Sequence, residues 1–144
     1  MSVSQILNGK SREMITAESG HTVRDIAKLL AEKRIGAVVI TTSHMTIQGI
    51  VSERDVVRCI AHDGPAALDF AVSKIMTKNV KTCAEEDSEM ELMALMTENR
   101  IRHLPVVKAG KLIGMVSIGD VVKYRIGAIE REAAEMKAYI ANSG

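Results

Sequence analysis

The chain is written twice. Thr22-Val23-Arg24-Asp25 returns as Ser88-Glu89-Met90-Glu91 and Thr16 returns as Thr82, each 66 positions on. Gly49-Ile50-Val51-Ser52-Glu53-Arg54-Asp55 returns as Gly114-Met115-Val116-Ser117-Ile118-Gly119-Asp120 at an offset of 65, and a lead-in, Val3-Ser4-Gln5-Ile6-Leu7, returns as Val72-Ser73-Lys74-Ile75-Met76 at 69. Two copies with so long a period do not make a solenoid. A duplicated unit with one apolar face buries it most simply against its twin, so the repeat restricts the fold to two similar halves packed together.

Within each copy the pattern alternates between strand and helix. A short strand ends at Thr16 or Thr82. Thr22-Val23-Arg24-Asp25 is a capping box, and Val23, Ile26, Ala27 and Leu30 follow on one helical face; Leu92, Leu95, Met96 and Asn99 hold the same register in copy two. The helices are expected to end at Arg34-Ile35 and Arg100-Ile101. Two apolar strands follow in each copy, joined by a loop over 41–46 in the first and by a tight Lys108-Ala109-Gly110-Lys111 hairpin in the second. The expected class is therefore α+β, a mixed fold of two β-α-β-β-α repeats over 3–65 and 72–125 related by a pseudo-twofold, with an extended C-terminal helix and tail over 126–144. In that last helix Val122, Ile126, Ile129, Ala133, Met136 and Ile140 step by 4, 3, 4, 3, 4, a heptad seam of about three turns of the repeat. It reads either as a seam between two subunits, which predicts a homodimer, or as a helix packed on its own domain.

Composition narrows the function. A net charge of +1 gives no general basic field for nucleic acid or an anionic membrane, and 2% aromatic residues leave no base-stacking platform. No apolar run is long enough for a membrane span. Residues 1–20 carry no basic-then-apolar leader and the two cysteines are isolated, so a reducing cytoplasm is expected. Nine methionines, Met90, Met93 and Met96 on one helix among them, read as core filler. The four histidines are scattered, no nucleophile–base spacing, GxGxxG or P-loop appears, and Cys59 with His62 offers only two metal ligands. The chain does not read as an enzyme.

The Ser-x-x-Asp strand ends, Ser52 to Asp55 and Ser117 to Asp120, carry what chemistry there is. Each is a capping box in its simplest reading. Yet Arg54 and Arg58 stand in the first turns of a helix, where the dipole disfavours cations by a few tenths to ~1 kcal/mol each, and a bound anion would reverse that cost. A carboxylate at an open strand end can accept from a vicinal diol. Gly119 in the first turn of the second copy permits close backbone approach.

With these strand ends, Arg100-Ile101-Arg102-His103-Leu104-Pro105-Val106-Val107 and Lys74-Ile75-Met76-Thr77, the chain resembles a tandem pair of cystathionine-β-synthase (CBS) domains, a Bateman module, over about residues 3 to 125. That resemblance implies a non-catalytic regulatory module with two clefts for adenosyl ligands: AMP, ADP, ATP, NAD(H) or S-adenosylmethionine. It implies that Asp120 and Ser117 work with Thr82 and with His103, Leu104 and Pro105, and that Asp55 and Ser52 work with Thr16 and with Gly36, Ala37 and Val38. Val80 and Arg102 join the expected nucleotide-binding set, and Arg54 and Arg58 are expected to serve phosphates near the pseudo-twofold. Copy one has Gly36-Ala37-Val38-Val39 where the family has His-Leu-Pro-Val. A protein partner regulated by the module is implied. The alternative is a dimeric interaction scaffold whose clefts are vestigial or empty.

Overall fold

Hydroxyl caps start the helices where the sequence spells them. The computed structural model describes residues 2–10 and 14–143; Gly144, the end of the expected tail, lies outside them. Thr22 Oγ1 accepts from the Asp25 amide at the start of α2 (Val23–Lys33), Ser52 Oγ from the Asp55 amide at α3 (Glu53–Asp63), and Ser88 Oγ from the Glu91 amide at α4 (Glu89–Asn99). Ser117 Oγ likewise accepts from Asp120 N at α5 (Ile118–Ser143), which runs unbroken for 26 residues. A shorter α1 (Val3–Asn8) leads in.

The strands follow the repeat. β1 (Thr16–Ala17) pairs parallel with β2 (Ala37–Thr41), and β2 pairs antiparallel with β3 (Ile47–Ser52). In copy two, β4 (His103–Lys108) and β5 (Lys111–Ser117) form the antiparallel pair, and the counterpart of β1 is reduced to one bridge, Cys83 to Val106. The tight hairpin is present: Ala109 and Gly110 both take positive φ, at 52° and 77°, the twist that matches a two-residue turn to its strands. The longer loop of copy one reaches across to copy two, where Leu112 N donates to Met45 O at 2.9 Å.

Each lead-in precedes one repeat in the chain and packs on the other. Val3 and Ile6 of α1 are buried with Cys83, Leu92, Met96, Leu104 and Val116 of the second copy, and Val3 N donates to Asp87 O at 2.9 Å. Val72, at the start of a 3₁₀ turn (Val72–Lys74), is buried with Val23, Ile26, Val38 and Val51 of the first. The exchange ties the halves together, since neither core is complete without chain from beyond its own repeat. It also explains two glycines. A Cβ on Gly49 would lie 2.7 Å from Met76 Cγ and 3.0 Å from the Thr77 carbonyl oxygen, and one on Gly114 would lie 3.0 Å from Leu7 Cδ2.

Met76 and Thr77 cannot simply retreat, because Thr77 exchanges two backbone hydrogen bonds with Ile50, at 3.0 and 2.9 Å. Gly49→Ala is therefore expected to destabilise the fold by about 1–2 kcal/mol through overpacking, read as a lower urea midpoint. Gly114→Ala, which meets only the end of a leucine, should cost less.

The methionine expectation holds for one residue of three. Met96 is buried with Leu92, whereas Met90 and Met93 point outward. The spacing explains it: Leu92 and Met96, four apart, own the inward stripe, and residues 90 and 93 lie off it.

Candidate functional site

Two cavities open between the halves. The first, about 520 Å³, is lined by Thr16, Arg34, Gly36, Ala37, His103, Gly114, Ser117 and Asp120, with Leu7, Lys10, Ile15, Ile35 and Ile113 among its other walls. The second, about 440 Å³, is lined by Gly36, Ala37, Ser52, Arg54, Asp55, Arg58, Val80, Lys81, Arg100, Arg102 and His103. Both volumes suit a nucleotide-sized ligand.

The structure regroups the residues expected from sequence. Thr16 lies with Ser117 and Asp120, not with Ser52 and Asp55, because β1 pairs on the edge of β2 opposite β3. The segment before Thr82 makes the reciprocal move, so Val80 and Lys81 stand with Asp55. Thr82 itself lines neither cavity. Val38 and Leu104 also line neither: strand alternation turns them into the two cores, where both are fully buried. Pro105 is buried with its carbonyl spent on Cys83 N at 3.0 Å. Gly36, Ala37 and His103 sit at the pseudo-twofold and line both cavities.

Both Ser-x-x-Asp motifs are true caps. In the second cavity Asp55 Oδ2 accepts from Ser52 N at 2.8 Å and Ser52 Oγ at 3.0 Å, while Arg58 Nη1 stands 3.8 Å from Oδ1. In the first, Asp120 Oδ2 accepts from Ser117 N at 2.9 Å and also from Lys10 Nζ at 2.7 Å, and the same ammonium donates to Met115 O at 2.9 Å. Burial alone would raise the Asp120 carboxyl, but the hydrogen bonds from Lys10 and Ser117 outweigh it and hold its pKa below the ordinary aspartate value. Asp120 is thus an anion pinned by a cation inside the first cavity. Lys10 has no echo in copy two at the lead-in offset, where Asn79 stands, so the repeat did not mark it.

Two arginines were also missed. Arg34 and Arg100 close α2 and α4 in the left-handed region, φ 54° and 53°, where glycine is the unstrained choice. Arg34 lines the first cavity and Arg100 the second. The same left-handed strain is thus accepted at two equivalent places, each with an arginine on a cavity wall. The cationic residues are unequally shared. Lys10, Arg34 and Lys108 oppose Glu85 and Asp120 in the first cavity, while Arg54, Arg58, Lys81, Arg100 and Arg102 oppose Glu53 and Asp55 in the second.

His103 forms the common wall. Its ring fills the space that a side chain at 36 would need, with Cε1 only 3.0 Å from a Cβ built there. Burial lowers its pKa below the ordinary value, the charges of Asp120, Lys10, Glu53 and Arg102 acting in both directions around it. A histidine depressed in the folded state takes up its proton more readily unfolded. Its contribution is therefore fully present above the unfolded pKa, is lost as pH falls below about 6.5, and levels off beneath the folded value. The melting temperature of wild type should fall more between pH 7.5 and 5.5 than that of His103→Gln, measured by parallel thermal scans.

Among the described residues no cluster of three or more His, Cys, Asp or Glu could hold a metal, and no helix is long and apolar enough to cross a membrane. Cys59 and Cys83 are buried and free, and burial, reinforced by Asp87, pushes the Cys83 thiol up to about 12, far from a nucleophile's range.

Known proteins share this arrangement. The family profile of the CBS domain matches residues 3–62 and 72–127. A CBS-domain-containing protein from Agrobacterium tumefaciens is 41% identical, with a TM-score of 0.83 over 87% of this chain and 99% of that one. The CBS domain pair of protein MJ0100, solved with 5′-methylthioadenosine and S-adenosyl-L-methionine, is 26% identical, with a TM-score of 0.79 over 89% of this chain and 98% of its own. A CBS domain protein from Pyrobaculum aerophilum, solved with AMP, is 28% identical, with a TM-score of 0.74 over 83% and 89%. With its two matched repeats, its exchanged lead-ins and its paired interdomain cavities, the chain belongs to the CBS-domain family as a tandem pair.

Proposed function

We propose that the chain is a non-catalytic sensor of adenosyl ligands that carry phosphate, and that it regulates a partner protein. The observation that carries the reading is the pairing, in each cavity, of a strand-end carboxylate with an arginine held in the left-handed region. In the first cavity the ribose diol would meet Asp120, the base would lie against Ile15, Gly36 and Ala37, and phosphate would reach Thr16, Ser117 and Arg34. In the second, Asp55 would take the diol, with Arg54, Arg58, Arg100 and Arg102 on the phosphates. Five cations against two acids favour a di- or triphosphate there, such as ADP or ATP, since each guanidinium can form charge-assisted, bidentate bonds to phosphate. Three against two in the first favour AMP or the singly charged end of a larger ligand.

One observation favours the rival reading of a scaffold with empty clefts: both aspartates already satisfy helix caps, and Lys10 covers Asp120. Calorimetric titration of AMP, ATP, NADH and S-adenosylmethionine into the full chain separates the two. Binding of the phosphate-bearing ligands, tighter than that of S-adenosylmethionine and weakening with salt, supports the sensor. An absence of heat and of thermal shift with all four supports the scaffold.

A further inference from the structure

The heptad stripe of α5 is not used by its own domain. Val121 and Ala128 are the buried side chains of this helix and Tyr124 packs beside them, a face one residue, or about 100°, away from the seam. From residue 129 to 143 every side chain of α5 is exposed. The large seam residues Val122, Ile126, Ile129, Met136 and Ile140 stand 50–62% exposed, a continuous apolar stripe on a helix of 26 residues. Such a stripe on a charged helix marks an interface.

We propose that the stripe pairs with a second copy of this chain as a parallel, in-register two-stranded coiled coil. Ile126, Ala133 and Ile140 take the a positions, and Val122, Ile129 and Met136 the d positions. Isoleucine holds two of the three a positions and Val122 and Ile129 two of the three d positions, so the apolar layers give the seam and the flanking charges give its geometry. Charge then selects the direction. Lys123, Glu130 and Lys137 fall at e, with Arg125, Glu132 and Tyr139 at g. In a parallel pair each g residue meets the e residue five positions on in the other copy. Arg125 therefore faces Glu130 of the second copy, and Glu132 faces its Lys137, opposite charges both times. In a fully overlapped antiparallel pair e meets e and g meets g, which sets Lys123 against Lys137, Glu130 against Glu130 and Glu132 against Glu132. Arg125 already stands 3.8 Å from the buried Glu89 Oε2, and its five N–H donors can serve both carboxylates.

Three single-cysteine variants of the full chain, Ile126→Cys, Ala133→Cys and Ile140→Cys, test the register under mild oxidation, the native thiols being buried. In the parallel pair each a position meets itself across the seam, within disulfide reach, so all three should form a linked dimer. In the antiparallel pair Ile126 meets Met136 and Ala133 meets Ile129, and none links. Light scattering at about 50 μM then reads the charges: Glu132→Lys should weaken dimerisation roughly tenfold, and adding Lys137→Glu should restore it. These positions are exposed, so circular dichroism should show an intact fold. A monomeric wild type, or a dimer in which none of the three cysteines links, overturns the proposal.

Discussion

Asp120→Asn should leave the protein folded and remove most of the ligand response of the first cavity. The amide keeps the shape of the carboxylate, and its oxygen can still accept from Ser117 N, so the cap is weakened rather than lost. What disappears is the charge that holds Lys10 and that would accept both hydroxyls of a ribose. Bonds to a charged acceptor contribute about 1.5–3 kcal/mol each, so affinity at that cavity should fall by roughly 10- to 100-fold. Asp55→Asn should do the same for the second cavity alone. Asp25 supplies the control: it completes a capping box of the same geometry with Thr22 but lines neither cavity. Asp25→Asn should therefore carry a similar small cost in stability with no change in ligand binding. Equal effects of Asp25→Asn and Asp120→Asn on the titration would show that only helix capping had been disturbed.

Lys10 makes the first cavity conditional. On the proposed reading its ammonium would leave Asp120 Oδ2 before a ribose took that oxygen, and the released cation would turn to a ligand phosphate. A neutral adenosyl compound would offer no such replacement. On that reading the 2.7 Å ion pair would work against uncharged ligands and cost phosphorylated ones little. It would also reconcile a satisfied carboxylate with the proposed binding role, since an acceptor held ionised by a lysine can pass to another donor once that lysine turns away.

The repeat made the elements legible because each is written locally. Caps, apolar strands and the Ala109-Gly110 turn depend on neighbours within a few residues. What was not legible is long-range. Nothing in the Val3–Leu7 lead-in says that it will finish the core around Leu92 and Leu104 instead of the one around Val23. Thr16 was grouped with Asp55 for the same reason: sequence order brings them into one repeat, but β1 pairs on the far edge of β2. The two strand ends do stand on separate cavities, as the repeat implies, but the first-strand segments that face them are exchanged between the copies. Arg34 and Arg100 were legible in principle. They are 66 positions apart, identical, and stand where helices end, but their left-handed φ is invisible until the chain is folded. Lys10 gave no signal, because Asn79 stands at its equivalent place in copy two.

Those two arginines allow a test in which stability and binding move in opposite directions. A non-glycine residue in the left-handed region costs roughly 1 kcal/mol relative to glycine, which adopts it freely. Arg100→Gly should therefore raise stability by up to about 1 kcal/mol, or roughly 2–4 °C in melting temperature for a chain of this size. A part of that gain is offset by the greater entropy of glycine in the unfolded chain. If Arg100 serves phosphate, the same change removes a charge-assisted contact and should weaken ATP in the second cavity by roughly tenfold or more. Adenosine, lacking the phosphates, should be little affected. Arg34→Gly should do likewise for AMP in the first cavity. Side chains that merely cover their helix ends would give the stability gain with unchanged titrations. A loss of stability in both variants would mean that the two arginines hold the cavity walls by packing. Only the combination of a more stable protein with weaker, less salt-sensitive binding of phosphorylated ligands fits a strained residue kept for its charge.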